Sequence, residues 1–122
     1  MKPDKNNFSR IIPATKYSIQ GIKYSWNNEI AFKQEMILFC FLFPAAFFVG
    51  NSTVETAILI LCLFIVLIAE LLNSGLEAIV DKTTPENHTL AGAAKDCGSA
   101  AVFFSIIVTT IVWGMVIFTN FF

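Results

Sequence analysis

Glu70, Asn73, Glu77 and Asp81 follow directly on the apolar run TAILILCLFIVLIA at 56–69. At 100° per residue they fall within roughly 80° of one another on a helix, along about 16 Å of its axis, with Ser74 at the edge of the same face. Ionisable groups in a membrane helix cost about 2.5–3.5 kcal/mol each and mark functional sites. Glu77 and Asp81 have a second reading, as the solvated end of their helix; Glu70, directly after the apolar run, does not fit it. Glu29 and Glu35 open the first apolar segment, and Lys95 and Asp96 the third, at the same depth as this acidic face. Carboxylates with one lysine suit a hard divalent cation carrying phosphate. Mg²⁺ takes one or two carboxylates plus phosphate oxygens, and lysine offers the phosphate a point charge. No P-loop or kinase Gly-rich loop is present, so side chains would have to hold any nucleotide. These residue types permit phosphoryl transfer.

The elements that must position them follow from composition. Of 122 residues, 56% are hydrophobic and thirteen are Phe, above the roughly 45–50% of a soluble domain. Length predicts a single domain, 1–122, and the composition an all-α membrane protein. Three apolar segments, around 36–50, 56–69 and 100–118, extend into their polar flanks to give spans of roughly 29–50, 55–81 and 91–119. Pro44 is tolerable in the first, where neighbours can re-satisfy the freed carbonyl. The near-neutral net charge of −1 points to no nucleic-acid partner. Cys40, Cys62 and Cys97 lack metal-ligand spacing, and the two inside apolar runs read as small hydrophobes.

The first 28 residues read as an amphipathic helix on the inner leaflet. Ile19, Ile22, Trp26 and Ile30 form one stripe at helical period, flanked by Lys16 and Lys23, and Pro13 suits the first turn. An ordinary positively charged flank is the alternative. All eight Lys and Arg residues lie before the first apolar segment or between the second and third. The positive-inside rule then predicts a cytoplasmic N-terminus, a cytoplasmic 82–95 loop and an external C-terminus.

The stretch ELLNSGLEAIVD at 70–81 closely resembles the signature of the prokaryotic integral-membrane diacylglycerol kinase family. The likeness runs colinearly through FSRII, Y-S, W-N-N-E-x-A-F-K-Q-E and H-x-L-A-G-x-A-K-D-x-G-S-A-A-V. It implies a homotrimer in the bacterial inner membrane, with shared active sites, that transfers the ATP γ-phosphate to diacylglycerol and forms phosphatidic acid. By motif position it makes Glu70 the catalytic base and gives Glu29 and Glu77 the Mg²⁺. Lys95 and Asp96 fall at nucleotide-contacting positions, as do Arg10, Tyr17, Glu86, Asn87 and His88, and Asn73 supports the site. Positions matching lipid contacts are Arg10, Ala14, Thr15, Lys16, Tyr17, Ser18 and Ile19, then Lys23, Tyr24, Ser25 and Trp26. They continue through Ala31, Phe32, Lys33, Gln34 and Glu35 to Glu70 and Ser99.

The chain departs from the family pattern at Gly75, in the small position of the signature, and at Lys23 and Lys33, where arginine is common. Phe48, Pro85 and Asn87 also differ, and none of these removes a group with assigned chemistry. Two rival readings stand beside the diacylglycerol one. The same architecture could phosphorylate undecaprenol, although the long N-terminal helix favours diacylglycerol. A non-enzymatic channel or transporter lined by Glu70 to Asp81 would explain the acid but not the colinear likeness.

Overall fold

The computed structural model describes residues 7–83 and 89–122. Four helices follow in order: α1 (Asn7–Asn28), α2 (Ile30–Val49), α3 (Thr53–Thr83) and α4 (Thr89–Phe121). The last three are long and apolar enough to cross a bilayer, while α1 is amphipathic and keeps Ile11, Ile12 and Ile19 exposed. This is an all-α, multi-pass membrane protein. Helices are the form such apolar runs must take, because lipid offers backbone N–H and C=O groups no partner and a helix satisfies them within one segment.

α3 is the central helix. It packs along α4 and α2 and also touches α1, and a third of its apolar window is buried against about a tenth in α2 and α4. Ala46, Leu59, Cys62, Leu63 and Trp113 form the core, with Phe39 set edge-on to Phe64 at 4.9 Å between centroids. Two side chains of α4 donate to α3 carbonyls: Trp113 Nε1 to Leu59 at 3.2 Å and Thr109 Oγ1 to Cys62 at 3.2 Å. Polar bonds of this kind are worth about 1 kcal/mol between membrane helices and fix their register.

A second set of bonds locks the end away from the acidic face. Ser52 Oγ accepts from the Glu55 N–H at 3.1 Å, and Glu55 Oε1 accepts from the Asn51 N–H at 2.9 Å, a variant of the reciprocal capping box. Asn120 Nδ2 then donates to the Val49 carbonyl at 2.7 Å and to Glu55 Oε1 at 2.8 Å, tying α4 to the end of α2 and the start of α3. The α2–α3 turn is tight enough to require glycine. A Cβ on Gly50 would stand 2.6 Å from Thr56 Oγ1 and 2.9 Å from its backbone nitrogen.

Two local expectations are corrected. Pro13 lies inside α1, not in its first turn, because the helix starts at Asn7. Proline keeps a helical φ, and its cost is one N–H bond and ring crowding, which the flanking turns absorb. The stripe from Ile19 to Ile30 is not one helix face either. Glu29 adopts an extended backbone (φ −123°, ψ 111°) between α1 and α2, so Ile30 begins a new helix. Asn28 marks the end of α1 by donating its side-chain amide to the Tyr24 carbonyl at 2.8 Å.

Candidate active site

The break at Glu29 is what builds the site. Its carboxylate makes no capping bond to α2. It instead faces α3, where the Glu29 and Glu77 carboxyl groups line one cavity and lie within interaction range of each other. Glu70, seven residues earlier on the same face, is only 4% exposed and lies within electrostatic range of Glu35, Glu29 and Glu77. Four carboxyl groups from α2, α3 and the α1–α2 junction are thus linked electrostatically through Glu70, spread over about two turns of α3.

A polar cavity of about 440 Å³ opens beside Glu29 and Glu77, lined also by Tyr24, Asn28, Ser74, Ala78, Asp81 and Lys82. Lys95 reaches this edge from α4: its Nζ donates to Asp81 Oδ1 at 2.9 Å and it lies within electrostatic range of Glu77. The Asp81 side chain is 64% exposed. It is both the solvated end of α3 and the anchor of that lysine. An exposed pair of this kind adds under about 1 kcal/mol of stability, so its consequence is where the ammonium sits.

α3 and α4 pack tightly beside Asn73. Gly98 is buried, and a Cβ added to it would overlap Asn73 Oδ1. That oxygen is itself buried without a hydrogen-bond partner. Small residues permit such approach between membrane helices, and here the closeness presses the carboxamide into place one turn from Glu70 and from Glu77.

The donor set decides what metal could bind. Among the described residues no three His, Cys, Asp or Glu side chains converge as a metal cage. The Glu29–Glu77 pair therefore fits Mg²⁺ held by two carboxylates and completed by phosphate oxygens and water. It does not fit a closed structural metal site.

Most lipid-assigned positions lie around this cluster or along α1. Ser25 and Phe32 are fully buried at the α1–α2 junction, and Lys33 holds its ammonium 5.3 Å over the Trp26 ring. Glu35 is half-buried, while Ala31, Gln34, Asp96 and Ser99 are exposed. Thr15, Lys16, Ile19 and Lys23 line a shallow groove along α1 itself. Arg10, Ala14 and Tyr17 are exposed on the N-terminal half of α1 and line no part of the carboxylate cavity. Arg10 stands about 27 Å along the helix from Asn28. Glu86, Asn87 and His88 lie outside the described residues. Asn28 and Lys82 line the cavity without having been singled out from sequence. Their signals were available: Asn28 directly precedes Glu29, and Lys82 follows Asp81.

The description of the prokaryotic diacylglycerol kinase family matches residues 16–117. The chain belongs to this family. Among its relatives, the diacylglycerol kinase of Haemophilus influenzae is 44% identical over 110 residues, covering 90% of this chain and 93% of that protein. That of Escherichia coli strain K12 is 39% identical over 121 residues, covering 99% of each. The Pseudomonas aeruginosa protein of the same name is 40% identical over 113 residues, covering 93% of this chain and 92% of its own. The family match takes in Glu29, Glu35, Glu70, Asn73, Glu77, Asp81 and Lys95, so the whole convergent cluster falls within it. Arg10, Ala14 and Thr15 precede the matched stretch.

Proposed function

We propose that this protein is an ATP-dependent diacylglycerol kinase working at the cytoplasmic face of the bacterial inner membrane, with phosphatidic acid as its product. The observation that carries the reading is the buried Glu70 carboxyl at the end of an apolar run, grouped with Glu29, Glu35 and Glu77. Phosphoryl transfer asks a protein chiefly for positioning and charge neutralisation. Glu70 accepts the proton of the lipid hydroxyl as its oxygen bonds to the γ-phosphorus of ATP. The bond from that phosphorus to the β–γ bridging oxygen breaks, and ADP leaves. Glu29 and Glu77 would hold Mg²⁺, whose chemistry when bound is to neutralise phosphate charge. Lys95, fixed by Asp81, turns an ammonium toward the nucleotide, and Asn73 braces the helix face between base and metal pair.

The positive-inside pattern supports an inward-facing site and an external C-terminus. Arg10 and Tyr17 belong to the nucleotide set only if another subunit brings them to it, because one chain leaves them far from the cavity. That separation supports a homotrimer in which neighbouring chains share sites, with Asp96 and Ser99 also facing a neighbour.

The decisive experiment transfers labelled phosphate from ATP to diacylglycerol or undecaprenol in detergent micelles. Diacylglycerol is expected to be the better acceptor, and Glu70→Gln to abolish turnover while nucleotide binding survives, because the amide keeps shape but cannot accept a proton. Near-normal turnover by folded Glu70→Gln would remove Glu70 from the role of base. Transfer to undecaprenol alone would overturn the substrate.

A further inference from the structure

The side chain of Ser74 is accounted for by neither the fold nor the carboxylate cluster. It is 3% exposed, and its Oγ is buried without a hydrogen-bond partner. Helical hydroxyls ordinarily return their proton to a carbonyl in the preceding turn, and others in this chain do so. Thr15 donates to Ile11 at 2.8 Å, Ser18 to Ala14 at 2.9 Å, Ser105 to Val102 at 2.6 Å and Thr110 to Ile106 at 2.8 Å. Leaving such a group unmade is costly, so an orphaned hydroxyl this deeply buried needs a reason.

Its surroundings supply one. Ser74 lines the polar cavity that holds Glu29 and Glu77, and also a second, mostly apolar cavity of about 320 Å³ between α1 and α3. Gly21, Ile22, Ser25, Leu71 and Gly75 line that second space. A Cβ on Gly21 or Gly75 would meet nothing within 4 Å, so the slot is open and not closed by helix contact. Ser18 also borders it, but its proton is already committed to Ala14. Ser74 therefore offers an uncommitted donor where an apolar slot meets the phosphate-handling cavity. It also stands one turn from Glu70, with side chains about 5–6 Å apart at Cβ.

We infer that the Ser74 hydroxyl donates a hydrogen bond to an ester carbonyl of the diacylglycerol and is a specificity-determining residue for acylglycerols. This rests on the kinase reading and deepens it. In diacylglycerol the free hydroxyl and the neighbouring ester carbonyl are a few bonds apart, which matches the separation of Glu70 and Ser74. The apolar walls of Ile22 and Leu71 take the start of the acyl chain. A lipid alcohol without the carbonyl leaves the buried donor unpaired, and sites built around such a donor reject analogues that cannot satisfy it.

The test compares a diacylglycerol with the dialkyl ether of identical chain length, which lacks only the carbonyls, in mixed micelles with full-length protein. Wild type is expected to show a kcat/KM about tenfold higher for the diester, the scale of one lost neutral hydrogen bond to a buried donor. Ser74→Ala is expected to lower the diester without lowering the ether, so that the preference between them is lost. Infrared spectra of diacylglycerol with ¹³C-labelled carbonyls give a readout independent of turnover. A hydrogen-bonded carbonyl component is expected with wild type and is lost with Ser74→Ala. Equal losses on both lipids, an unchanged preference or an unchanged carbonyl band would overturn the inference and leave Ser74 a packing residue or a water ligand. A wild type that phosphorylates but shows no ester preference overturns this inference alone. A wild type that phosphorylates neither lipid overturns the kinase reading with it.

Discussion

Gly98→Ala should separate catalysis from stability. The added methyl would overlap Asn73 Oδ1, come 3.2 Å from Asn73 Cγ and 3.4 Å from Leu76 Cδ1. The obstruction is the end of a side chain and not backbone, so the Asn73 carboxamide can swing aside. Pushing it off its rotamer costs about 0.5–1.5 kcal/mol, and overpacking in general about 1–3 kcal/mol. Replacing glycine by alanine inside a helix returns about 0.8–1.0 kcal/mol. The net change in stability is therefore small, from near zero to about 2 kcal/mol of destabilisation. Catalysis has no such compensation: a group misplaced by about 1 Å at a reacting centre can cost on the order of 10²-fold in rate. Gly92→Ala is the control in the same helix, because a Cβ there meets nothing within 4 Å. It should gain about 1 kcal/mol and keep wild-type turnover. Denaturant titration of micelle-bound protein, paired with labelled phosphate transfer, reads both quantities. Wild-type turnover by Gly98→Ala would refute the placement of Asn73 in the working site. Loss of activity only in step with loss of fold would show Gly98 to be a packing residue and nothing more.

At the opposite end, Asn120→Leu removes the donor to Val49 and Glu55 and should cost about 1–3 kcal/mol in the same titration while kcat is unchanged. A topology reporter fused after Phe122 should read as external and one inserted near Pro85 as cytoplasmic; the reverse would part the carboxylates from cellular ATP. Mixtures of separately inactive Glu70→Gln and Arg10→Leu should regain activity if subunits share sites. Equal amounts would then give intact pairs at about a quarter of sites, and confirmed mixed oligomers with no recovery would show that each chain carries a complete site.

Much of the fold could be read from residue type alone because lipid simplifies the problem. An apolar run at membrane length has one permitted form, the helix, and Glu70 at the end of such a run stands out by its cost. The 100° geometry of one helix likewise put Glu70, Asn73 and Glu77 on a shared face before any packing was known. Helix ends were less legible. Pro13 looked like a beginning and Ile30 like a continuation because period and composition carry no record of where an extended residue interrupts. The interruption at Glu29 is nevertheless what frees its carboxylate to reach Glu77. Ser52-Thr53-Val54-Glu55 does carry the S-x-x-E capping pattern, so that end is legible in the sequence, whereas its closure by Asn120 depends on a partner 65 positions away.

Ser74 shows most clearly where residue type stops and packing begins. Its spacing placed it only at the edge of the acidic face, and a serine on a long helix has a routine partner in its own preceding turn. What distinguishes it is that α1 folds back over α3, and this packing needs the chain to break at Glu29. The same break that brings the Glu29 carboxylate to Glu77 lets α1 border the slot beside Gly75, into which the buried Ser74 hydroxyl faces without a partner. One extended residue between two helices thus joins the carboxylate cavity to the apolar slot, the two sides of the site proposed for phosphate and for lipid.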